Sequence, residues 1–406
     1  MRHGKCVLFW FPFLKFVEDN RDVSPSHAMI TKARKGFRSH FNEDPVFISR
    51  CPGRVNLIGE HTDYNDGFVL PMALPFSTVI ASSPISSDLV KVHSEGFGYA
   101  QFSLLESPQK SEGWSRYLHG MGAFLENSGV PVKGWNGFIC SDIPAGANLS
   151  SSAALEVASG VIFRAVAGVD TPMMEIAIAG QAVENEIIGV HSGIMDQLAC
   201  TFAEAGSALL IDCQSLELSS VLLPKQVSVV VMDTGTRREL SGTAYNDRRE
   251  TCERVAAILG ADSLRDVSLQ DLGSLGSVDD VGLRRARHVI TENQRVLDVV
   301  HYLRNNDLVQ VGNLINASHE SLRSDYEVSG PALDKIVEIA QNVKGCYGAR
   351  MTGGGFAGSA IALVDNEHVQ GFCAQVSDLF TAPEEQPAEA PTILFVVDAS
   401  AGVSII

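Results

Sequence analysis

The sequence holds no Cys-x-x-Cys pair and no cluster of cysteine and histidine at zinc spacing, which excludes a zinc ribbon or a dense disulfide scaffold. Its eight cysteines (Cys6, Cys51, Cys140, Cys200, Cys213, Cys252, Cys346 and Cys373) lie far apart and are expected to be reduced and mostly buried. Positive charge is scarce too: 31 Lys and Arg against 48 Asp and Glu give a formal charge of −17. Such a surface repels polyanions, so nucleic acid is not an expected partner, although backbone amides at a helix start still bind a small anion locally. With only 16 prolines and 45% hydrophobic residues, the composition excludes a mainly disordered chain. The apolar run from Cys6 to Leu14 is too short to cross a bilayer. Although Arg2 and Lys5 precede it, it lacks the small-residue cleavage site of a signal peptide. Residues 1–28 therefore read as an atypical N-terminal extension, with Met29 the expected start. No internal repeat or long low-complexity tract is present.

At 406 residues the chain exceeds what one hydrophobic core usually serves, so two domains closing over a cleft are expected. Residues 30–41 read as a short helix with Ile30, Ala33 and Phe37 on one side, set against the outside of the first domain. Strand-like segments follow at 46–50, 76–81 and 89–93, separated by Gly, Pro, Asn and Asp turns. Residues 150–166 read as a helix, because Ala154, Val157, Ala158, Val161, Ile162 and Ala165 recur at helical spacing behind a serine run suited to N-capping. A second helix is expected at 174–189. Buried strands are expected at 208–212 and 227–233, with the domain boundary in the polar connector at 214–226. Beyond it, 281–304 and 331–343 have helical periodicity, 360–364 and 392–397 look like strands, and 383–391 reads as an exposed loop. The fold class is α+β, with a first domain over 29–220 and a second over 221–406.

Four segments carry chemistry. Arg54 to Asp63 packs Arg, Asn, Glu, His and Asp between Gly53 and Gly67. That density suits a polyhydroxylated ligand, whose hydroxyls donate to carboxylates and accept from Arg and His, but it also suits a polar turn between strands. Pro144 to Ser152 leads from the end of an expected strand into the helix that starts at 150. There, backbone N–H groups and the positive helix end could receive phosphate, or the serines could merely cap the helix. It is not a Walker A loop, because no Gly-Lys-Ser/Thr follows the glycines. In Met351 to Ser359 the glycines serve a tight turn or let backbone approach a ligand. Asp196, in the turn Gly193 to Gln197 after the helix carrying Glu184, is either a cap or a catalytic group. The conjunction of a phosphate-type loop, a nearby carboxylate and a sugar-type loop favours function.

Together these segments resemble the galactokinase family of the GHMP kinase superfamily. Arg54 to Tyr64 is similar to the family signature nearly letter for letter. Pro144 to Ala154 resembles the nucleotide loop, Gly193 to Gln197 the segment with the catalytic Asp, and Gly353 to Ser359 the third, glycine-rich motif. The resemblance implies a two-lobed α+β GHMP kinase fold. Its N-terminal lobe would be like the second domain of ribosomal protein S5, its C-terminal α/β lobe ferredoxin-like, and its active site would lie in the cleft between them. It implies ATP-dependent phosphorylation of the anomeric 1-OH of α-D-galactose, with Mg²⁺, as the first committed step of galactose catabolism in the Leloir pathway. On the same resemblance, Asp196 would take the proton from the 1-OH, while Arg54 would hold Asp196 ionised and stabilise the transferring phosphoryl group. Glu60, His61, Thr62, Asp63 and Tyr245 would bind the sugar. Gly146, Ala147, Asn148, Leu149, Ser150, Ser151 and Ser152 would wrap the ATP phosphates, and Ser152 and Glu184 would ligate Mg²⁺. A cytoplasmic monomer without nucleic-acid or membrane partners is expected.

Three positions depart from the family pattern. Asn148 stands where the second glycine of a Gly-x-Gly is usual; Asn best tolerates a left-handed backbone among non-glycine residues, so Asn148→Gly is expected to leave the fold unchanged. Ala357 and Ser359 replace the usual Gly and Cys of the third motif, and Ala357 would be strained if its φ were positive. Two other readings stand beside the main one: a sugar sensor that binds without turnover, and a kinase for a related sugar such as N-acetylgalactosamine. The first is disfavoured because Arg54, Ser152, Ala153, Glu184 and Asp196 are all in place.

Overall fold

The computed structural model describes residues 25–237, 242–273 and 279–406; residues 1–24 of the expected extension, Cys6 among them, lie outside these. In chain order the first half comprises α1 (Pro25–Phe41), β1 (Phe47–Asn56), β2 (Phe68–Val69), β3 (Pro71–Pro84), β4 (Leu89–Ser94), β5 (Gly98–Ser103), α2 (Ser115–Asn127), β6 (Trp135–Ser141), α3 (Ser151–Ala167), α4 (Met173–Ala182), a π-helical turn (Val183–Ile188), α5 (Met195–Phe202), β7 (Ser207–Asp212) and β8 (Leu218–Leu222). The second half comprises β9 (Val227–Asp233), α6 (Gly242–Leu259), α7 (Leu269–Gly273), α8 (Asp280–Arg304), α9 (Leu308–Ser324), α10 (Pro331–Asn342), β10 (Cys346–Met351), β11 (Ser359–Asp365), α11 (Val369–Leu379), β12 (Ile393–Val397) and β13 (Ser404–Ile405).

Six strands form the first sheet in the order β13-β1-β3-β6-β4-β5, with β4 and β6 parallel and the other neighbours antiparallel. Alternation decides the faces: Val90 and Val92 of β4 point into the core while Lys91 and His93 are partly exposed. One face is covered by α1, whose buried Met29, Ala33 and Phe37 recur every four residues and meet Ile48, Val79, Ala81, Phe138 and Cys140. Gly36 is required there, because a Cβ would lie 2.2 Å from the Phe138 ring. The other face receives α3, which buries Ala154, Val157, Ala158, Val161 and Ile162 as the spacing predicts. Each large aliphatic chain so buried contributes roughly 1.5–3 kcal/mol.

The second sheet runs β10-β11-β9-β12, antiparallel throughout, over a core built with α6, α8, α10 and α11. Central β11 is buried along nearly its whole length, which is why 360–364 reads as an unbroken apolar run. A small sheet, β2-β7-β8, lies beside the first one. Its β8 falls within the stretch read as a connector, where alternating Leu218 to Leu222 pairs with β7. The expected helix at 174–189 is α4 followed by the π turn, which closes on Gly189 at φ 85°.

One irregularity of β1 shapes the site. The register with β3 shifts between Pro52 and Arg54, and at Gly53 any Cβ would lie 2.5 Å from the Leu149 carbonyl. This bulge lets residues 146–150 dock on the strand, where the Arg54 N–H donates to the Leu149 carbonyl at 3.2 Å.

Candidate active site

Between β6 and α3 the backbone alternates in hand. Gly146, Asn148 and Ser150 are left-handed (φ 70°, 61° and 59°), while Ala147 and Leu149 are not. Such alternation turns successive N–H groups to one side and makes an anion-binding concavity, here continuing into the N-terminus of α3. Asn148 adopts the left-handed conformation expected of it, and its side chain does more than tolerate it: Nδ2 donates to the Ala357 carbonyl at 2.9 Å. Ser359 Oγ donates to the Ala147 carbonyl at 2.8 Å, so both unusual residues tie the glycine-rich turn to this loop. The strain foreseen for Ala357 does not arise, because the turn places its left-handed residue one position earlier, at Phe356 (φ 65°), beneath the Arg248 guanidinium. Ser150 does not cap α3 as the serine run suggests; its left-handed backbone points Oγ away, to donate to Asp196 Oδ2 at 2.6 Å.

Asp196, in the first turn of α5, meets Arg54 in a two-pronged pair: Arg54 Nε and Nη2 donate to Oδ1 and Oδ2, both at 2.7 Å. The remaining prong, Nη1, donates to the Asn148 carbonyl at 2.9 Å, which fixes the guanidinium between carboxylate and phosphate loop. The Arg54 side chain is 6% exposed but that of Asp196 is 22% exposed, so the carboxylate keeps an open face for a ligand.

The sugar-type segment divides its labour. Asp63 is buried against Gly193, where a Cβ would lie 2.2 Å from its Oδ2. Burial, and then the negative charge of Asp196, push the Asp63 carboxyl up to about 7. His61 (φ 64°) is hydrogen bonded through Nδ1 to Tyr64 Oη at 2.8 Å. Tyr245, half-buried in the first turn of α6, places its ring 5.3 Å from His61 and 5.3 Å from Tyr64, and burial raises its phenol well above the usual range. Thr62 and Glu60 face the protein. Thr62 Oγ1 lies 2.7 Å from the Gly59 and Phe68 carbonyls. The Glu60 carboxylate accepts from Gly353 N (2.7 Å), Thr352 Oγ1 (3.1 Å), Asn56 Nδ2 and the fully buried Arg350 (2.8 Å). It thus rivets the sugar segment to the glycine-rich turn some 290 residues away in sequence.

Glu184 stands on the π turn with Ser152 Oγ donating to Oε1 at 2.8 Å and Ser192 Oγ to Oε2 at 2.5 Å. Burial, and then the charge of Asp196, raise its carboxyl. Arg54, Asp63, Asp196, Ser150, Ser152, Glu184 and Tyr245 therefore belong to one site, flanked by the concavity of 146–150. Arg350, Thr352, Ser192 and Tyr326 complete it and were not foreseen, although Arg350 immediately precedes the glycine-rich segment.

Residues 35–84 match the galactokinase galactose-binding signature, 116–204 the N-terminal domain of GHMP kinases and 299–382 their C-terminal domain. The chain is 43% identical over 382 residues to a galactokinase from Chloroflexus aurantiacus, covering 91% of this chain and 96% of that protein. It is 37% identical over 385 residues to a galactokinase from Haemophilus influenzae, covering 93% and 99%. The crystal structure of Lactococcus lactis galactokinase complexed with galactose matches at a TM-score of 0.87 and 35% identity, covering 92% of this chain and 99% of that one. A mevalonate kinase structure shares the fold at a TM-score of 0.60 and 19% identity, covering 87% and 99%.

Proposed function

The chain belongs to the galactokinase family and has the two-lobed GHMP kinase fold expected from its sequence; on that premise we propose how its residues transfer the γ-phosphoryl group of ATP to the 1-OH of α-D-galactose, giving galactose 1-phosphate and ADP. The observation that carries this reading is the two-pronged Arg54–Asp196 pair, set between the concavity of 146–150 and the Asp63 carboxylate. Asp196 orients the 1-OH and accepts its proton as the oxygen attacks phosphorus. In a loose transition state the proton leaves late, so orientation is its larger task. Arg54 is held in place before substrate arrives and offers its positive charge to the equatorial oxygens without reorganising. The amides of Gly146 to Ser152 receive the phosphates. Asp63, His61 and Tyr245 take the other sugar hydroxyls, with Glu60 and Thr62 fixing the segment from behind.

Ser152 and Glu184 would hold Mg²⁺. They offer a hydroxyl and one carboxylate, hard oxygen donors that leave most of the coordination to phosphate and water, as this ion prefers. Among the described residues no group of three or more His, Cys, Asp and Glu side chains is placed to hold a metal ion. When bound, Mg²⁺ neutralises charge on the β- and γ-phosphoryl oxygens. The proposed setting is a cytoplasmic monomer; no helix among the described residues is long and apolar enough to cross a membrane. A coupled ADP-release assay over galactose, 2-deoxygalactose, talose and N-acetylgalactosamine tests the reading. Galactose should give the highest kcat/KM. Tight sugar binding without ADP release by any of them would leave a sensor instead.

A further inference from the structure

One helix from the second half of the chain carries the sugar segment on a polar seam. On α8, His288, Glu292 and Val296 are spaced four apart and fall in one row, with Asn293 beside it. Gly59 N–H donates to Glu292 Oε1 at 3.0 Å, Phe68 N–H donates to Asn293 Oδ1 at 2.9 Å, and His288 Nε2 lies 3.1 Å from the Glu60 carbonyl. A backbone N–H only donates and a carbonyl only accepts, so the direction of all three bonds is fixed and His288 Nε2 is a donor. The fit is close: a Cβ on Gly59 would lie 2.9 Å from Val296 Cγ2. His288 and Glu292 are completely buried and Asn293 nearly so.

What these bonds hold is a turn that the chain does not favour by itself. Gly59 and His61 are left-handed (φ 101° and 64°) on either side of Glu60, and a bulky residue such as His keeps that conformation only where its surroundings impose it. Glu292 is the charged member of the seam. Its Oε1 also accepts from Ser318 Oγ of α9 and its Oε2 from Arg295 Nε, both at 2.6 Å. Burial alone would raise its carboxyl, but the positive charge of Arg295 outweighs burial and holds it down at about 2, so it receives the Gly59 N–H as an ionised, stronger acceptor. The helix itself is anchored twice: Val296, Val299, Val300 and Leu303 lie in the core under the first sheet, Ala286 and Val289 in the core under the second. It is a rigid base for the turn.

We propose that Glu292 and His288 are positioning residues for sugar affinity: they hold the left-handed turn at 59–61, and so set His61 and Asp63 in their binding geometry before the sugar arrives. Affinity depends on this directly, because a segment that adopts the competent conformation only a tenth of the time binds about tenfold more weakly. None of the three bonds reaches the phosphate loop at 146–150, so the effect falls on the sugar and not on ATP. The proposal rests on the assignment of the segment around His61 and Asp63 to the sugar.

The test combines amide hydrogen exchange of the full-length enzyme without ligands, read by mass spectrometry on the peptide spanning 59–67, with steady-state kinetics. Glu292→Ala should speed exchange in that peptide but not in the one spanning 146–152. It should also raise the galactose KM about tenfold, the loss of one hydrogen bond to a charged group, with kcat and the ATP KM unchanged. Glu292→Gln keeps an acceptor for the Gly59 N–H and should recover most of both. His288→Phe keeps a ring and the Glu292–Arg295 pair but loses the donor to the Glu60 carbonyl, and should shift exchange and galactose KM in the same direction as Glu292→Ala. Unchanged exchange at 59–67 with an unchanged galactose KM in His288→Phe would overturn the proposal, as would equal rises of the galactose and ATP KM in either variant, the mark of a general loosening. Failure of the wild type to phosphorylate any hexose would instead refute the kinase reading, while the hold on the turn, measured without substrate, is decided either way.

Discussion

Replacing Asp63 by Asn should stabilise the sugar-free protein at high pH while destroying sugar affinity. The carboxyl is held near 7 by burial and by Asp196, against an ordinary value near 4. Between those two values the folded protein keeps a proton that the unfolded chain has released. Stability from this group is therefore lost as pH rises from about 4 to about 7, and the loss is complete above that. Three pKa units at about 1.4 kcal/mol each set an upper bound of about 4 kcal/mol above pH 7. Asn cannot titrate, so the Tm of Asp63→Asn should approach that of the wild type at pH 4 and exceed it by a margin that grows to several degrees at pH 8. Sugar hydroxyls donate to the ionised form, so galactose binding below pH 7 should release a proton and weaken as pH falls. Differential scanning calorimetry of both proteins from pH 4 to 9, with galactose titrations in buffers of different ionisation heat, measures both effects. Parallel Tm–pH curves for the two proteins would refute the reasoning.

Asn148→Gly removes the strap from Nδ2 to the Ala357 carbonyl, so it should cost about 1 kcal/mol and raise the ATP KM, contrary to what the loop sequence alone leads one to expect. Thermal melts and ATP titrations check this. Gly193→Ala drives a Cβ into the Asp63 carboxylate and should raise the galactose KM at least about tenfold while sparing ATP binding, seen by calorimetry with each ligand. Glu184→Gln should raise the Mg²⁺ concentration for half-maximal rate about tenfold at fixed ATP, measured by metal titration of the ADP-release rate.

Elements with a clean apolar signature were legible in the sequence. The helix α3, the central strand β11 and the buried face of α8 at Val289, Val296, Val300 and Leu303 fall where periodicity puts them. Missed elements have mixed signals. Helix α6 crowds Arg248, Arg249, Glu250, Glu253 and Arg254 around a thin buried seam of Cys252, Val255 and Ala256, so its stripe is hard to see. The π turn depends on which carbonyl each N–H reaches and leaves no mark in the residue types. Within the site, local motifs announced Arg54, Asp63 and Asp196. Partners that arrive from another lobe did not: Arg350 and Thr352 become part of the sugar segment only through the Glu60 carboxylate, and Tyr326 only through Tyr64. Ser150 was legible as a polar residue at a helix start, but its left-handed backbone, which turns it from cap into a ligand of Asp196, was not.

The Arg54–Asp196 pair is the centre of the account, and one measurement bears on it directly: phosphorus NMR of the full-length chain and of Asp196→Asn, each with galactose, ATP and Mg²⁺. The wild type should accumulate galactose 1-phosphate. Asp196→Asn should do so about 10²–10⁴ times more slowly while still binding galactose, and should melt earlier because Arg54 is left buried without its counter-charge. Galactose 1-phosphate formed at the same rate by both proteins, or by neither, would contradict it.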